Sequence, residues 1–243
     1  MNILFLRGSI PPKKEHPEKL YYDTIENCED MWTQLFYFLT KNFNAKAELL
    51  YQGGKRNFQV SDFFVEKWVK SFKTYSPGNN PDLIVCRGGF PFYDDILKRY
   101  PKAKKVYYGA GVRFYPKSDF DKYDLFLVDS KSQLKKIKNK HKKNAHLFIK
   151  PAALLFKPYN EEKIYDVCFM GNASHAHIKR HKLLIKSFAN TPYKILNLGN
   201  KSKEFIKFAK KMNVNIEWGG WDLRKNLPQK ISQCKISICC STN

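Results

Sequence analysis

The chain has 243 residues, of which 43% are hydrophobic and 15% are aromatic. This length is enough to bury one large core or two smaller ones, and the aromatic content excludes an intrinsically disordered protein. The formal net charge of +22 predicts attraction to polyanions, whether phosphorylated substrates, nucleic acid or anionic lipid head groups.

The sequence shows neither a membrane-spanning stretch nor a framework of paired cysteines. No window approaches the ~18 consecutive apolar residues of a spanning helix. The opening MNILFLRGSIPP is expected to form a first buried strand rather than the core of a signal peptide. The six cysteines form no CxxC pair, and several lie in apolar runs, where a thiol acts as a small hydrophobic group. We therefore expect reduced thiols and a cytoplasmic protein.

The first part of the chain alternates short apolar runs with helical patterns. The predicted strands are 3–6, 47–51, 83–86, 105–108, 125–128 and 146–149, and the predicted helices are 24–41, 60–72, 93–100 and 130–142. Continuous apolar strands separated by helices are typical of a parallel sheet that is covered on both faces. This pattern predicts an α/β unit of the Rossmann kind.

The segment KPAALLFKPYNEEK, residues 150–163, interrupts the alternation with two prolines and a polar patch. The pattern then resumes, with predicted strands 166–170, 194–198, 215–218 and 236–240 and predicted helices 177–188, 203–211 and 227–233. We predict a boundary near residues 151–162, with one Rossmann-like domain over 1–155 and another over 162–243. The second unit is expected to be incomplete, because CKISICCSTN is a buried strand and the chain stops where the following loop should begin.

Glycine follows the predicted strands at seven places. These are Arg7-Gly8-Ser9, Gln52-Gly53-Gly54, Arg87-Gly88-Gly89, Gly109-Ala110-Gly111, Gly171-Asn172, Gly199-Asn200 and Gly219-Gly220. Ligands of open α/β sheets bind beyond the carboxyl ends of the strands, and glycine allows close approach to the backbone. Ordinary turns between strand and helix explain some of these glycines. Neither GxGxxG nor GxxxxGK[ST] occurs, which disfavours nicotinamide-dependent dehydrogenases and P-loop enzymes.

The stretch YDVCFMGNASHAHIKRHKLLIKSF, residues 165–188, joins a strand, a glycine and a basic helix start. Backbone N–H groups at that helix start, together with Lys179, Arg180 and Lys182, predict an anion site suited to a diphosphate. The alternative is a solvated basic face of the helix. Three histidines in the same stretch, His175, His177 and His181, invite a zinc interpretation. No carboxylate accompanies them, so we expect no metal site and favour a histidine at the phosphate-binding turn or at the surface.

Two further segments have a predicted role. ENCEDMWTQLFYF, residues 26–38, is acidic at its start and apolar after Met31, which predicts a helix that faces the core. From residue 130 to 160 the chain carries nine lysines and no acidic residue. Lys131, Lys135, Lys138 and Lys142 line one face of the predicted helix, which suits peripheral contact with an anionic membrane surface or is simply a solvated face.

The arrangement resembles the GT-B glycosyltransferases, especially the large retaining group that uses sugar nucleotides. Their second Rossmann-like domain opens with a strand, a glycine and a basic helix start, and VCFMGNASHAHIKRHKLLIKSF is similar to it. Lys179 falls where the family has a lysine, whereas Asn172 stands in place of an arginine and Arg180 in place of a glycine. ILNLGN and NIEWGGW resemble the next two strands of that domain.

The resemblance implies a glycosyltransferase, or the larger part of one, with a nucleotide-sugar as donor, an unidentified acceptor and no metal or other cofactor. It implies that Gly171, Asn172, Lys179, Arg180 and Lys182 bind the donor diphosphate, and that Gly199, Trp218, Gly219 and Gly220 lie near the base. It places the acceptor over loops that contain Arg7, Gly8, Arg87, Gly88, Gly109 and Arg113. No catalytic residue is assigned.

In the family, the loop after a strand such as CKISICCSTN leads to a glutamate that holds the ribose and sugar, whereas here the sequence ends at Asn243. We therefore expect poor turnover from this chain. The alternative function is a non-catalytic protein that binds nucleic acid or an anionic membrane through the lysine-rich segment 130–150, with tyrosine and phenylalanine as stacking partners for bases. Lysine greatly outnumbers arginine, and no RNA-binding motif is present, so nucleic acid is not the expected partner.

Overall fold

The computed structural model describes residues 1–9, 25, 31–53, 56–109, 119–141, 144–149, 154, 156–171, 179–220 and 226–238. Asn172, His175, His177 and Arg113, as well as Lys142, lie outside these residues. The chain divides into two compact units, Met1–Leu154 and Leu155–Asn243. Each unit is built around one sheet.

The first unit contains an eight-stranded sheet in the order β3-β4-β2-β1-β5-β6-β7-β8. Its strands are β1 (Asn2–Ser9), β2 (Lys46–Gln52), β3 (Arg56–Ser61), β4 (Phe64–Val69), β5 (Leu83–Arg87), β6 (Lys104–Gly109), β7 (Leu125–Val128) and β8 (Ala145–Leu147). Its helices are α1 (Met31–Asn42), α2 (Asp94–Arg99) and α3 (Lys131–His141). All strand pairs are parallel except β3 with β4.

The sheet of the first unit is covered on both faces because its central strands are apolar on both sides. In β1, Ile3 and Phe5 pack with Trp32 and Phe36 of α1. The alternate residues Leu4 and Leu6 pack in a second cluster with residues of α2 and α3. A strand with period-2 side chains and two apolar faces must be buried between two layers, as the sequence predicted.

The predicted helix over residues 60–72 is wrong. This stretch forms the end of β3 and all of β4, which pair in antiparallel fashion around a turn at Asp62 and Phe63. Phe64 and Glu66 are buried in alternation with less buried neighbours, so the apolar period is two rather than 3.6. β8 also ends earlier than predicted, because Ile149 is exposed.

The second unit contains a four-stranded, wholly parallel sheet in the order β11-β10-β9-β12. Its elements are β9 (Tyr165–Met170), α4 (His181–Ser187), β10 (Ile195–Leu198), α5 (Lys203–Lys211), β11 (Ile216–Gly220), α6 (Leu227–Ser232) and β12 (Cys234–Ile238). The predicted α/β class with parallel Rossmann-like sheets is confirmed for both units. Cys168 and Cys234 are free and buried.

Both sheets have a point at which the chain reverses its direction of travel across the sheet. From β1 the chain passes to β2 on one side, and it later places β5 on the other side of β1. From β9 it passes to β10 and β11, and it then returns to place β12 on the other side of β9. Such reversals open a crevice at the carboxyl ends of the two strands, and ligands of open α/β sheets bind there.

No helix in the described ranges is long and apolar enough to cross a membrane. On α3, Lys131, Lys135 and Lys138 are exposed, while Gln133 and Ile137 are buried. This confirms an amphipathic helix with a basic outer face.

The aromatic pair between β1 and α1 provides a test of the first core. Phe5 and Phe36 are both buried, and their rings stack with centroids 4.1 Å apart. We expect Phe5→Ala to lower the free energy of unfolding of the first unit by about 3–5 kcal/mol, because it opens a cavity in a packed core. Phe43→Ala, at a position that is 64% exposed, is the matched control. Urea unfolding midpoints that fall equally in both variants would contradict this packing.

Candidate functional site

Gly171 follows β9 at the reversal point of the second sheet, and its surroundings leave no room for a side chain. Its N–H donates to the carbonyl of Leu198, with 3.0 Å between nitrogen and oxygen. A Cβ atom on Gly171 would lie 2.8 Å from the ring of Phe169 and 3.0 Å from that of His181. Glycine is therefore required here by close packing.

His181 is a core residue, not a surface or metal-binding histidine. It is 1% exposed, and its ring stacks on Phe205 with centroids 4.9 Å apart and meets Phe169 edge-on. Its Nε2 lies 3.3 Å from the carbonyl oxygen of Gly171. Burial lowers the pKa of His181, although the Gly171 carbonyl opposes this effect. The prediction of a surface position is wrong for this histidine, and a role at the phosphate-binding turn stays a prediction.

Three cations lie at the start of α4, beside His181, which contacts Gly171. Lys179 is half-buried, and Arg180 and Lys182 are exposed. Arg180 adopts a left-handed conformation with φ 53° immediately before the helix, a conformation that is uncommon for residues other than glycine. Because His181 contacts the Gly171 carbonyl, the two cations beside it are held near the end of β9.

Lys182 forms an ion pair with Glu204 of α5, with 2.8 Å between Nζ and Oε1. Both side chains are more than half exposed, so this pair contributes little to stability. Lys182 can therefore leave Glu204 and bind a phosphate group at a small cost in free energy.

The glycines at the ends of β10 and β11 adjoin each other. Gly199 donates its N–H to the carbonyl of Gly220, with 2.8 Å between nitrogen and oxygen. Both glycines have positive φ, at 139° and 71°, which favours glycine. A Cβ atom on Gly219 would lie 3.1 Å from Leu198. Trp218 packs against the cluster of α4 and α5. Its position near a nucleotide base stays a prediction.

Asn197 is a buried polar residue that the sequence interpretation missed. It is 1% exposed, and neither its amide nitrogen nor its amide oxygen has a hydrogen-bond partner within the described part of the chain. In register it lies between Phe169 and Trp218. Buried polar side chains are nearly always hydrogen-bonded in proteins. The one available signal was a single polar residue inside the apolar run ILNL.

In the first unit, Arg7 and Arg87 stand side by side at the reversal point. They follow the paired residues Leu6 and Cys86 on the neighbouring strands β1 and β5. Arg7 donates to the hydroxyl of Tyr51, and its Cζ lies 5.1 Å from the centre of that ring. The Cζ of Arg87 lies 4.9 Å from the centre of the Trp32 ring.

The charges of this cluster are perturbed by burial and by each other. Burial lowers the pKa of Arg87, and the positive charge of Arg7 lowers it further. Burial raises the pKa of Tyr51, while Arg7 lowers it. Burial also raises the pKa of Tyr108, to about 12. The tyrosines are therefore neutral donors and acceptors, and the arginines supply positive charge.

The backbone around the two arginines is fixed by Tyr93 and by two glycines. The buried hydroxyl of Tyr93 lies 3.2 Å from the carbonyl oxygen of Leu6 and 3.1 Å from that of Arg87. Gly8 and Gly88 have φ values of 102° and 81°, which residues with side chains rarely adopt. The structure thus brings together Arg7, Gly8, Arg87 and Gly88, and their role in acceptor binding stays a prediction. Trp32, Tyr51 and Tyr93, which complete the cluster, were missed.

Gly109 ends β6, one strand away from this cluster. A Cβ atom there would lie 3.2 Å from Val128 and 3.4 Å from the Gln133 side chain. Close packing therefore accounts for this glycine. Across the described residues, no group of three or more histidine, cysteine, aspartate or glutamate side chains is placed to hold a metal ion.

A cavity of about 140 Å³ lies at the opposite, amino-terminal edge of the first sheet. Residues at the starts of β1, β2 and β4 line it, including Asn2, Lys46 and Phe64. Ligands of this sheet class bind at the other edge, so this cavity is not the candidate site.

Comparison with known proteins identifies the fold. No protein-family model matches the chain, and no curated protein sequence matches it. Sucrose-phosphate synthase from Thermosynechococcus elongatus matches 99% of this chain and 76% of its own, at 11% identity and a TM-score of 0.69. The Anabaena protein HepE, solved in complex with UDP, matches 100% and 75%, at 13% identity and a TM-score of 0.63.

The lipopolysaccharide outer core galactosyltransferase WaaB, in its apo form, matches 99% of this chain and 74% of its own, at 14% identity and a TM-score of 0.61. These solved structures are GT-B glycosyltransferases. Likeness at such low identity establishes the fold, and it confirms the predicted GT-B resemblance.

Gly171 offers a direct test of the turn after β9. We expect Gly171→Ala to destabilise the second unit by about 1–3 kcal/mol, because the added methyl group displaces the ring of Phe169 or His181. Gly78→Ala is the control, since its Cβ would meet only a glutamate side chain at 3.7 Å. Equal midpoint temperatures of thermal denaturation in the two variants would show that Gly171 is not tightly packed.

His181 predicts a pH dependence of stability. Because its pKa is lowered in the folded state, the unfolded chain takes up the proton first as the pH falls below its ordinary value of ~6.5. The second unit should lose up to about 1.4 kcal/mol per pH unit from this group between that value and the folded pKa. The free energy of unfolding, measured by urea denaturation at several pH values, should fall less between pH 8 and pH 5 in His181→Phe than in the unaltered chain. An unchanged slope in the variant would contradict a buried neutral imidazole.

Proposed function

We propose that the chain is a glycosyltransferase that takes a sugar from a nucleotide-sugar donor and passes it to an acceptor. The observation that carries this proposal is a closely packed glycine, Gly171, at the end of a strand where the chain reverses direction. Lys179, Arg180 and Lys182 lie at the start of the next helix, whose first residue, His181, contacts the Gly171 carbonyl. Solved structures of the same fold support the proposal, and one of them holds UDP.

The role of the cations follows from the chemistry of the transfer. The bond between the anomeric carbon and the diphosphate oxygen breaks, and the diphosphate leaves with an added negative charge. The oxygen of an acceptor hydroxyl bonds to that carbon and gives its proton to the departing diphosphate or to solvent. Lys179 and Arg180 stabilise this charge as it develops, which lowers the barrier more than equal binding of substrate and transition state would. Lys182 exchanges Glu204 for a phosphate oxygen.

The nucleoside is expected to lie over the ends of β10 and β11. Gly220 leaves the backbone open there, since a Cβ atom on it would meet none of the described residues within 4 Å. Asn197 lies one residue before Leu198, at the end of β10. Its unpartnered amide group is suited to a polar group of the nucleoside or to a water molecule that bridges to it.

Binding of nucleoside phosphates tests the proposed donor site. We expect UDP to bind more tightly than UMP, because the cations contact the distal phosphate. The double variant Lys179→Gln/Arg180→Gln should lose about 10²- to 10⁴-fold in affinity for UDP, since each of the two charge-assisted hydrogen bonds contributes about 1.5–3 kcal/mol. Lys186→Gln, which removes an exposed charge from the last turn of α4, is the control. Calorimetry that gives equal affinities for UDP and UMP would refute the assignment.

The alternative function is polyanion binding through the exposed lysines of α3. A titration with labelled single-stranded nucleic acid at two salt concentrations separates the two functions, because binding to phosphate backbones weakens steeply with salt. The variant Lys131→Gln/Lys135→Gln/Lys138→Gln should leave UDP affinity unchanged if the transferase proposal is correct. Tight binding of nucleic acid that this variant abolishes, together with no binding of UDP, would favour the alternative.

A further inference from the structure

We propose that the paired arginines Arg7 and Arg87 bind a phosphate group of the acceptor, so that the acceptor is a phosphorylated molecule. That the phosphorylated molecule is an acceptor rests on the proposed transferase function. That the first unit binds a phosphate monoester follows from the geometry of that unit alone.

The two guanidinium groups are brought together by the strand order. β1 and β5 are parallel neighbours in register, with Leu6 opposite Cys86, so the next residue on each strand is an arginine at the carboxyl edge. Both side chains lie on the α1 face of the sheet, Arg7 over Tyr51 and Arg87 over Trp32. Aromatic rings hold a guanidinium in place without neutralising its charge.

Within the described ranges, no acidic side chain pairs with the positive charge of Arg87. That residue forms no ion pair within the described ranges, and its buried Nε has no hydrogen-bond partner there. Burial and the charge of Arg7 both lower its pKa. A desolvated cation next to another cation costs free energy unless an anion accompanies it.

A phosphate monoester fits this pair better than a carboxylate does. A phosphate monoester carries a charge of about −1.5 to −2 at neutral pH and three strongly accepting oxygens, so it can accept hydrogen bonds from both guanidinium groups at once. Guanidinium groups present several N–H donors in one plane and bind two oxygens of a phosphate at once. The Tyr51 hydroxyl, which accepts from Arg7, helps to fix the orientation of that fork.

The backbone beside the pair has a fixed conformation, and Phe90 packs against Gly8 and Gly88. Each arginine is followed by a glycine with positive φ, and the Tyr93 hydroxyl holds the two strand ends together. Among the strand ends of the first sheet, β1 and β5 are the two that flank the reversal point. This is where a ligand of an open α/β sheet is expected to bind.

Calorimetry with glucose 6-phosphate, glucuronate and glucose tests the proposal. The titrations use the full chain with saturating UDP, so that the proposed donor site is occupied. We expect glucose 6-phosphate to bind and glucose not to bind. Arg87→Gln should weaken binding of glucose 6-phosphate by about 10- to 100-fold, with partial recovery in Arg87→Lys. The affinity for UDP should be the same in all of these variants.

Lys104→Gln is the matched control, because Lys104 is an exposed cation at the amino-terminal edge of the same sheet. It changes the net charge by the same amount and should leave binding unchanged. Equal weakening in Lys104→Gln and Arg87→Gln would overturn the site in favour of a general charge effect. Glucuronate bound as tightly as glucose 6-phosphate would overturn the assignment to phosphate.

A measurement on the unaltered chain covers the case in which Arg87→Gln does not fold. The Nε–H signals of Arg7 and Arg87 in NMR spectra should shift with glucose 6-phosphate and not with glucose, and unshifted signals would overturn the proposal. If UDP does not bind while glucose 6-phosphate still shifts these signals, the transferase function fails and the phosphate site remains. If UDP binds and glucose 6-phosphate does not, only the phosphate site fails.

Discussion

Burial of the central strands on both faces is the constraint on which the rest of this structure depends. In β1 and β9 successive residues are almost fully buried, as Leu4, Phe5 and Leu6 show in the first unit and Cys168 and Phe169 in the second. Polar side chains are therefore confined to the ends of these strands, with Asn2 and Asp166 at the starts of β1 and β9 and Arg7 near the end of β1. Chemistry is confined to the strand ends, and the strand order decides which ends lie together.

The two units meet this constraint with different chemistry. In the first unit the cations belong to the strands themselves, and Arg7 and Arg87 are held against Tyr51 and Trp32. In the second unit the strand ends in Gly171, and the cations belong to the start of the helix that follows. The arginines of the first unit are desolvated and fixed, which suits selective binding of one group. Arg180 and Lys182 are exposed to solvent, which suits a leaving group whose charge changes during the reaction.

Much of the fold was predictable because apolar runs and glycine turns are local signals. Strands β1, β2, β5, β6 and β7 and the order of elements in the second unit follow from them. The β3–β4 hairpin was not predictable, because a run such as FFVEKWV has the composition of either element. Its pairing with β2 depends on residues that are distant in sequence.

In the candidate sites, the sequence predicted the glycines and the charged residues at the strand ends but not the side chains that pack around them. Gly171, Arg7 and Arg87 could be predicted because they are a glycine and two cations at strand ends. The side chains that surround them could not, because they are brought there by tertiary contacts. His181 has helical spacing from His177 that suggests a shared surface, yet Phe169 and Phe205 bury it. Tyr51 and Trp32 looked like ordinary core residues, and only the pairing of β1 with β2 and the packing of α1 on the sheet show that they adjoin the arginines.

A crystal structure of the chain with UDP tests the central claim most directly, namely that the crevice beyond β9 holds the donor diphosphate. We predict density for the diphosphate next to the backbone of Gly171 and within hydrogen-bonding distance of Lys179 or Arg180, with the uridine toward Gly199 and Gly220. UDP bound at the amino-terminal edge of either sheet, or no bound UDP at millimolar concentration, would contradict it.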